Sequence, residues 1–249
     1  MSNFGVILVA AGKSTRFADK HYKKPFVQLG GRAVWLHSAE VFLNRDDVKQ
    51  LVVVIAEEDR ETFQDRFGAN RAIMGFDVCT GGAERADSVA AGLAVLKPEV
   101  EFVAIHDAAR PCVSDKSVSD VFSAAQQSSA AILAAPVAST LKRAARSGSA
   151  VTIEETVARQ DLWLAQTPQV FRKELILKAY AHSDRAGVTD DSQLVERLGQ
   201  AVSIVEDSPL NLKITTKSDV KLAEQILKAR PAAKPKGFGH PFGEDDLWR

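Results

Sequence analysis

Cysteine is scarce in this chain: Cys79 and Cys112 are the only two among 249 residues. Two thiols make neither a disulfide framework nor a zinc site, and they suit the reduced state of a cytoplasmic protein. Net charge is missing too, because 32 Lys and Arg balance 32 Asp and Glu. A nucleic-acid partner usually calls for a basic excess, so none is expected. No apolar run approaches the roughly 18 residues that span a bilayer, so no membrane partner is expected either. The first apolar run, Gly5 to Gly12, has strand length and lacks the basic flank of a signal peptide. These absences point to a cytoplasmic protein. What is present is ordinary for a globular domain: 45% hydrophobic and 26% charged residues, in a chain long enough for one sizeable core and an appendage.

Apolar, β-branched runs at Phe4 to Ala10, Leu51 to Ala56, Phe76 to Thr80, Phe102 to His106 and Ala131 to Val137 read as buried strands. Between them, Ala33 to Leu43, Glu57 to Phe67, Ser88 to Leu96 and Asp115 to Gln127 read as helices. Strands alternating with helices imply a doubly wound α/β fold with a mostly parallel sheet. The alternation stops after Val137. Ser139 to Glu155 carries charges around a Ser147-Gly148-Ser149 turn and reads as a hairpin arm, spanning about 138–160. Short helices at Lys173 to Ala181 and Ser192 to Leu198, short strands at Ala201 to Val205 and Leu212 to Thr215, and a helix at Asp219 to Ala229 close a domain of residues 1–230. Residues 231–249 form a Pro/Gly/Lys-rich tail with the composition of a linker.

A glycine turn after a first buried strand suggests phosphate binding. Gly12-Lys13-Ser14 resembles the end of a Walker A motif, but the first glycine of that motif would fall at Ile7. The G-x-G-x-x-G fingerprint is also missing. What remains is a small-residue turn, Ala10-Ala11-Gly12, followed by Lys13, Arg16, Lys20, Lys23 and Lys24 against Asp19 alone. Such a loop offers backbone donors, guanidinium forks and point charges to a triphosphate.

Asp107 ends a buried strand, at the edge where α/β proteins bind ligands, so metal binding is weighed against a turn-capping role. His106 reads as a packed histidine. Arg85 and Arg110 read as organisers of the pocket through ion pairs with Asp87 or Glu84. Asp190-Asp191 offers either a second metal site or an N-cap for the helix at Ser192. Trp163 reads as core or dimer packing, and both cysteines as small buried apolar residues.

Six segments in order carry a specific resemblance. They are Ala10-Ala-Gly12, Gly81-Gly82-Ala-Glu-Arg85-Ala-Asp87-Ser88, His106-Asp107-Ala-Ala-Arg110-Pro111, Leu162-Trp-Leu-Ala-Gln-Thr167-Pro-Gln169, Thr189-Asp-Asp-Ser192 and Asn211-Leu-Lys213-Ile-Thr. Over about residues 4 to 229 the chain resembles the 2-C-methyl-D-erythritol 4-phosphate cytidylyltransferases of the non-mevalonate isoprenoid pathway. The resemblance implies transfer of CMP from CTP to methylerythritol phosphate, releasing pyrophosphate. It implies Arg16, Lys24 and Lys213 as catalytic cations and Asp107 as the carrier of Mg²⁺, an ion that keeps a sparse protein shell. It assigns Ala10, Ala11, Gly12, Gly81, Gly82 and Ser88 to the nucleotide, and Thr140, Arg159 and Thr167 to the acceptor. It also implies a homodimer whose arm completes the partner's active site.

Two features depart from the family pattern. Lys23-Lys24-Pro25-Phe26 stands where Pro-Lys-Gln-Tyr is usual, so either Lys23 or Lys24 is the catalytic lysine. Ala83 replaces a frequent acidic residue. Ribitol 5-phosphate and ribulose 5-phosphate cytidylyltransferases share nearly all these motifs and remain alternatives, as does a non-catalytic nucleotide-binding relative. A glycosyltransferase would show Asp-x-Asp where this chain has Asp107-Ala-Ala.

Overall fold

The computed structural model describes residues 2–12, 26–182, 184 and 187–230. The chain opens with β1 (Phe4–Val9). A small ribbon of β2 (Gln28–Leu29) and β3 (Arg32–Ala33) leads into α1 (Val34–Leu43). Then follow β4 (Val48–Ile55), α2 (Arg60–Met74), β5 (Asp77–Thr80), α3 (Arg85–Ala94), β6 (Phe102–Asp107), α4 (Asp115–Ser128) and β7 (Ala130–Pro136). The arm is β8 (Leu141–Ser147) and β9 (Ala150–Val157). The chain returns through β10 (Trp163–Arg172), α5 (Lys173–His182), α6 (Ser192–Glu196), β11 (Ser203–Glu206) and α7 (Lys217–Ala229).

Seven strands form one sheet in the order β11-β7-β10-β6-β1-β4-β5. All neighbours are parallel except β10, which runs antiparallel to both β6 and β7. The central strands are apolar because both of their faces are covered. On one face, Trp35 and Phe42 of α1, Phe63 and Phe67 of α2 and Phe122 of α4 pack over Val6, Leu8, Val53 and Ala104. On the other, Val89 and Leu93 of α3, Ile176 of α5 and Leu194 of α6 pack over Ile7, Val52, Val54 and Ile105. The doubly wound architecture expected from the alternation is therefore present. Helix α3 lies close enough to β1 that a Cβ on Gly92 would fall 2.7 Å from the Ile7 side chain.

The hairpin arm is present, with β8 and β9 paired antiparallel about a turn in which Gly148 takes φ +59°. Two expectations require correction. Leu212 to Thr215 is not a strand; Ile214 donates one backbone hydrogen bond to the Ala109 carbonyl, while the Asp219 carboxylate accepts from the Thr215 amide. Conversely, β10 has no counterpart among the expected strands. Its Gln166-Thr167-Pro168 segment interrupts the apolar pattern, and the register with β7 shifts between Ala165 and Gln169 to accommodate it. The Thr167–Pro168 peptide is cis.

Candidate active site

Asp107 closes β6 at the carboxyl edge of the sheet, with its side chain only 9% exposed. Three cations converge on it from three parts of the chain. Lys213, in the irregular segment before α7, puts Nζ 2.6 Å from Oδ2. Arg85, the first residue of α3, puts Nε 3.2 Å from Oδ1. Arg110, in the turn after β6, has Nε 3.8 Å from Oδ2 and donates from Nη1 to the Asn211 carbonyl at 2.7 Å. Arg85 also reaches Asp191, with Nη1 2.8 Å from Oδ2, and the other Asp191 oxygen accepts the Tyr180 hydroxyl at 2.6 Å. Behind this pair, the amides of Asp191 and Ser192 both donate to Gln169 Oε1 at 3.0 Å.

Burial alone would raise the Asp107 carboxyl, but Arg85, Lys213 and Arg110 overturn that and hold it well below the carboxylate range. Burial likewise opposes the charge on Arg85, and Asp191 with Asp107 more than restores it. On Arg110 burial prevails and the guanidinium is lowered. Three cations face Asp107 and Asp191, and Asp207 on the far side of Arg110 supplies a third negative charge, so the cluster is balanced. The carboxylate is thus ionised well below neutral pH, with three cations facing it.

The neighbouring rim is formed by the turns after β1 and β5. The Ala10 amide donates to the Val54 carbonyl at 2.8 Å and the Gly81 amide to the Ile55 carbonyl at 2.7 Å, so neither donor is available to a phosphate. Glycine at position 81 serves close packing: a Cβ there would lie 2.4 Å from Ser88 Oγ and 2.9 Å from the Ala11 Cβ. A Cβ on Gly82 would lie 2.4 Å from that of Asp87. Over Gly12 no described atom comes within 4 Å of a Cβ position.

The family model for 2-C-methyl-D-erythritol 4-phosphate cytidylyltransferase matches residues 4–229. The chain belongs to this family. Relatives of that name are 40% identical in Rhodopirellula baltica, covering 91% of this chain and 95% of the relative, and 39% identical in Shouchella clausii, covering 91% and 97%. Among solved structures, the 2-C-methyl-D-erythritol 4-phosphate cytidylyltransferase of Thermus thermophilus superposes with a TM-score of 0.70 at 33% identity, over 89% of this chain and 98% of that one. The 4-diphosphocytidyl-2C-methyl-D-erythritol synthase of Anaerococcus prevotii superposes with a TM-score of 0.75 at 27% identity, over 91% and 96%. The chain is accordingly an enzyme of the nucleotidyltransferase type.

Of the residues that the sequence points to, Asp107, Lys213 and Thr167 stand together, the last with its hydroxyl 3.0 Å from the Asp107 amide. Ala10, Ala11, Gly81 and Ser88 share the adjacent rim. Thr140 and Arg159 do not join this cluster among the described residues; both are exposed at the foot of the arm, where Arg159 donates to the Ala138 carbonyl. Arg16, Lys23 and Lys24 lie outside the described residues. The pairing expected for Arg85 is corrected: among the described residues it forms ion pairs with Asp107 and Asp191 rather than Asp87 or Glu84, because α3 starts at Arg85 and aims the side chain along the sheet edge. Asp190, not Asp191, serves α6, accepting from the Gln193 amide at 3.2 Å. Trp163 is not core, being 38% exposed at the start of β10. Tyr180 is a site residue that sequence reasoning missed, since no motif marks it; Asp191 was weighed as a metal ligand or N-cap but serves as a partner of Arg85 and Tyr180, and Gln169 stood in a motif segment without a role.

Proposed function

We propose that the Asp107 cluster transfers CMP from CTP to 2-C-methyl-D-erythritol 4-phosphate. A phosphate oxygen of the acceptor forms a bond to the α-phosphorus of CTP, the bond from that phosphorus to the bridging oxygen breaks, and pyrophosphate leaves. The observation that carries this reading is the buried, ionised Asp107 with Lys213 at 2.6 Å and Arg85 and Arg110 beside it. Phosphoryl chemistry asks a protein mainly for positioning and charge neutralisation, and this cluster is suited to both. Lys213 is free to move from Asp107 to the α-phosphate, since its side chain is 43% exposed. By family resemblance Arg16 and Lys24, or Lys23 in its place, clamp the departing phosphates. Gly82, Ser88 and the Ala10-Ala11-Gly12 turn receive the nucleoside and its phosphates.

The donor set fits Mg²⁺ arriving with the triphosphate. No group of three His, Cys, Asp or Glu that could hold a metal exists among the described residues, whereas one ionised carboxylate plus phosphate oxygens and water is an ordinary magnesium shell. When bound, the ion would neutralise charge on the phosphates. Asp107 would hold it and Arg85 would keep that carboxylate oriented.

Thr140 and Arg159 are proposed to meet the acceptor phosphate of a twofold partner, making the enzyme a homodimer with shared sites. A planar guanidinium suits that reach, because its fork holds two phosphate oxygens at once. The two free thiols, Cys79 and Cys112, suit a cytoplasmic location. The catalytic domain is proposed to span residues 1–230; residues 231–249, read from composition as a tail, lie outside the described residues.

Pyrophosphate release from CTP with a panel of acceptors tests the reaction. Turnover should be high with methylerythritol phosphate and low with ribitol or ribulose 5-phosphate; the reverse order reassigns the acceptor, and release with none of them removes the activity. Co-refolding Arg159→Ala with Lys24→Ala tests the shared site. Random pairing makes about half the molecules heterodimers with one intact site each, so activity should recover towards roughly a quarter of wild type.

A further inference from the structure

Lys213 sits in an irregular segment, yet the chain on both sides of it is tightly held. One residue after it, Ile214 is fully buried in a cluster with Val27, Val34 and Ala223, and its amide donates to the Ala109 carbonyl at 2.8 Å. Two residues before it, Asn211 is 2% exposed. Asn211 Nδ2 faces three acceptors: the Thr167 carbonyl at 3.0 Å, Asp207 Oδ2 at 3.0 Å and Gln166 Oε1 at 3.3 Å. A backbone carbonyl and a carboxylate accept, so the nitrogen of the side-chain amide is the atom that points to them. The main chain of Asn211 is engaged as well. Its amide donates to the Ser208 carbonyl at 3.1 Å, and its carbonyl accepts Arg110 Nη1 at 2.7 Å. Further out, Ser117 Oγ of α4 donates to Asp207 Oδ1 at 2.7 Å, and Gln166 Nε2 to the Ser208 carbonyl at 3.1 Å.

We propose that Asn211 is a positioning residue for the transfer, fixing the backbone from which Lys213 reaches its targets, with Asp207 as its anchor. The inference rests on the cytidylyl-transfer reading above. The Lys213 side chain is 43% exposed, and a lysine is a point charge on a flexible four-carbon stem. What such an ammonium can reach is therefore set by where its Cα is held. Ile214 holds it from one side and Asn211 from the other, with Leu212 alone between Asn211 and the lysine. Through its carbonyl Asn211 also bonds Arg110, a second cation beside Asp107. One residue thus ties β10, the segment after β11 and two of the cations on Asp107 into a single body. An apolar side chain would fill the same space but leave the Thr167 carbonyl and Asp207 without this donor. Asn211 Oδ1 is itself buried with no partner among the described residues. An unpaired buried oxygen costs stability, so stability alone does not account for asparagine at this position.

The test places Asn211→Ala and Asp207→Ala in the wild-type and Lys213→Ala backgrounds and follows pyrophosphate release, with circular dichroism as the fold control. Misplacing a reacting group by 1 Å costs up to about 100-fold in rate. Asn211→Ala should lower kcat by about 10- to 100-fold, and Asp207→Ala, which removes one of three acceptors, by about 3- to 10-fold. KM for CTP and for methylerythritol phosphate should stay within about threefold, because the loss falls on the transition state. In the Lys213→Ala background both losses should shrink to less than about threefold, since the group they place is gone. A variant that is less stable but turns over at the wild-type rate makes the residue structural and overturns the proposal. Equal losses in the two backgrounds overturn it too. Should Asn211→Ala not fold, Asp207→Ala decides by the same two readings. Crystal structures of the ligand-free variants report the placement without turnover: the Lys213 Cα should shift by about 1 Å or more relative to Asp107. A Cα left in its wild-type position refutes the proposal whatever the rates. If the wild type turns over no acceptor, the function reading fails, while the shift or its absence still decides whether Asn211 places Lys213.

Discussion

The Asp107 cluster and the β8–β9 arm are both rich in charge and use it in opposite ways. In the cluster, Asp107 and Asp191 have side chains 9% and 1% exposed, and each is met by cations or hydroxyls at fixed distances. In the arm, the Arg143–Glu155 pair is closer still, at 2.5 Å, yet its side chains are 63% and 56% exposed. Water screens the second pair and not the first. Burial turns a charge into a geometric constraint; exposure leaves it available to another molecule. Val151 and Ile153 strengthen the contrast, standing 56% and 66% exposed on an arm that buries almost nothing of itself. An isolated hairpin is marginal in water, which is why the arm is proposed to pack against a twofold partner.

The contrast is broken most directly at Lys213. If Lys213 acts as proposed, replacing it by alanine removes a cation that meets growing negative charge in the transition state, and a loss of that kind costs about 10²–10³ in kcat. Pyrophosphate release with circular dichroism as the fold control measures it. A Lys213→Ala enzyme at near the wild-type rate would take the cluster out of the chemistry.

A second measurement sharpens the role of burial. The His106 imidazole falls from 6.5 to about 4 on folding. The unfolded chain therefore takes up a proton that the native one refuses as pH drops from 6.5 towards 4. Stability is whole above that window and declines within it, by on the order of 3 kcal/mol for this one group. Asp107 works in a separate range: its carboxyl is depressed below the ordinary 3.8, so its contribution is present above that value and lost only in stronger acid. Denaturant unfolding of the ligand-free protein across this range should slope downward between pH 6.5 and 4, and His106→Asn should flatten the slope. An unchanged slope in that variant would assign the loss to other groups.

The smallest effect belongs to the arm. A double-mutant cycle on Arg143 and Glu155 should give a coupling under about 0.5 kcal/mol, since exposed pairs contribute little. A coupling several times larger would mean that the pair is buried in the assembled enzyme, which itself locates the partner surface.

The sequence made the parallel half of the sheet legible, because β1, β4 and β6 are apolar runs and the helices between them are periodic. It hid β10, whose Gln166, Thr167, Pro168 and Gln169 look like a loop. Those residues are polar because they serve the site: Gln169 holds the amides at Asp191, and Thr167 holds Asp107. In Leu212 to Thr215 an apolar alternation suggests a strand, but the Asp219 carboxylate takes the Thr215 amide and Ile214 bonds to the Ala109 carbonyl. Asp107 and Lys213 were legible as motif members. The double grip of Arg85 on Asp107 and Asp191 was not, since 106 positions separate Arg85 from Asp191 and no local pattern links them.

The reversal of β10 has one further consequence. It makes β7 and β10 antiparallel neighbours, so everything from Val137 to Leu162, the arm included, is one elaborated hairpin connection between adjacent strands. Lengthening such a connection adds closure entropy only slowly, and it leaves the pairing of the strands it joins unaltered. An arm of different length or surface could therefore be carried at this place without disturbing a position in the core.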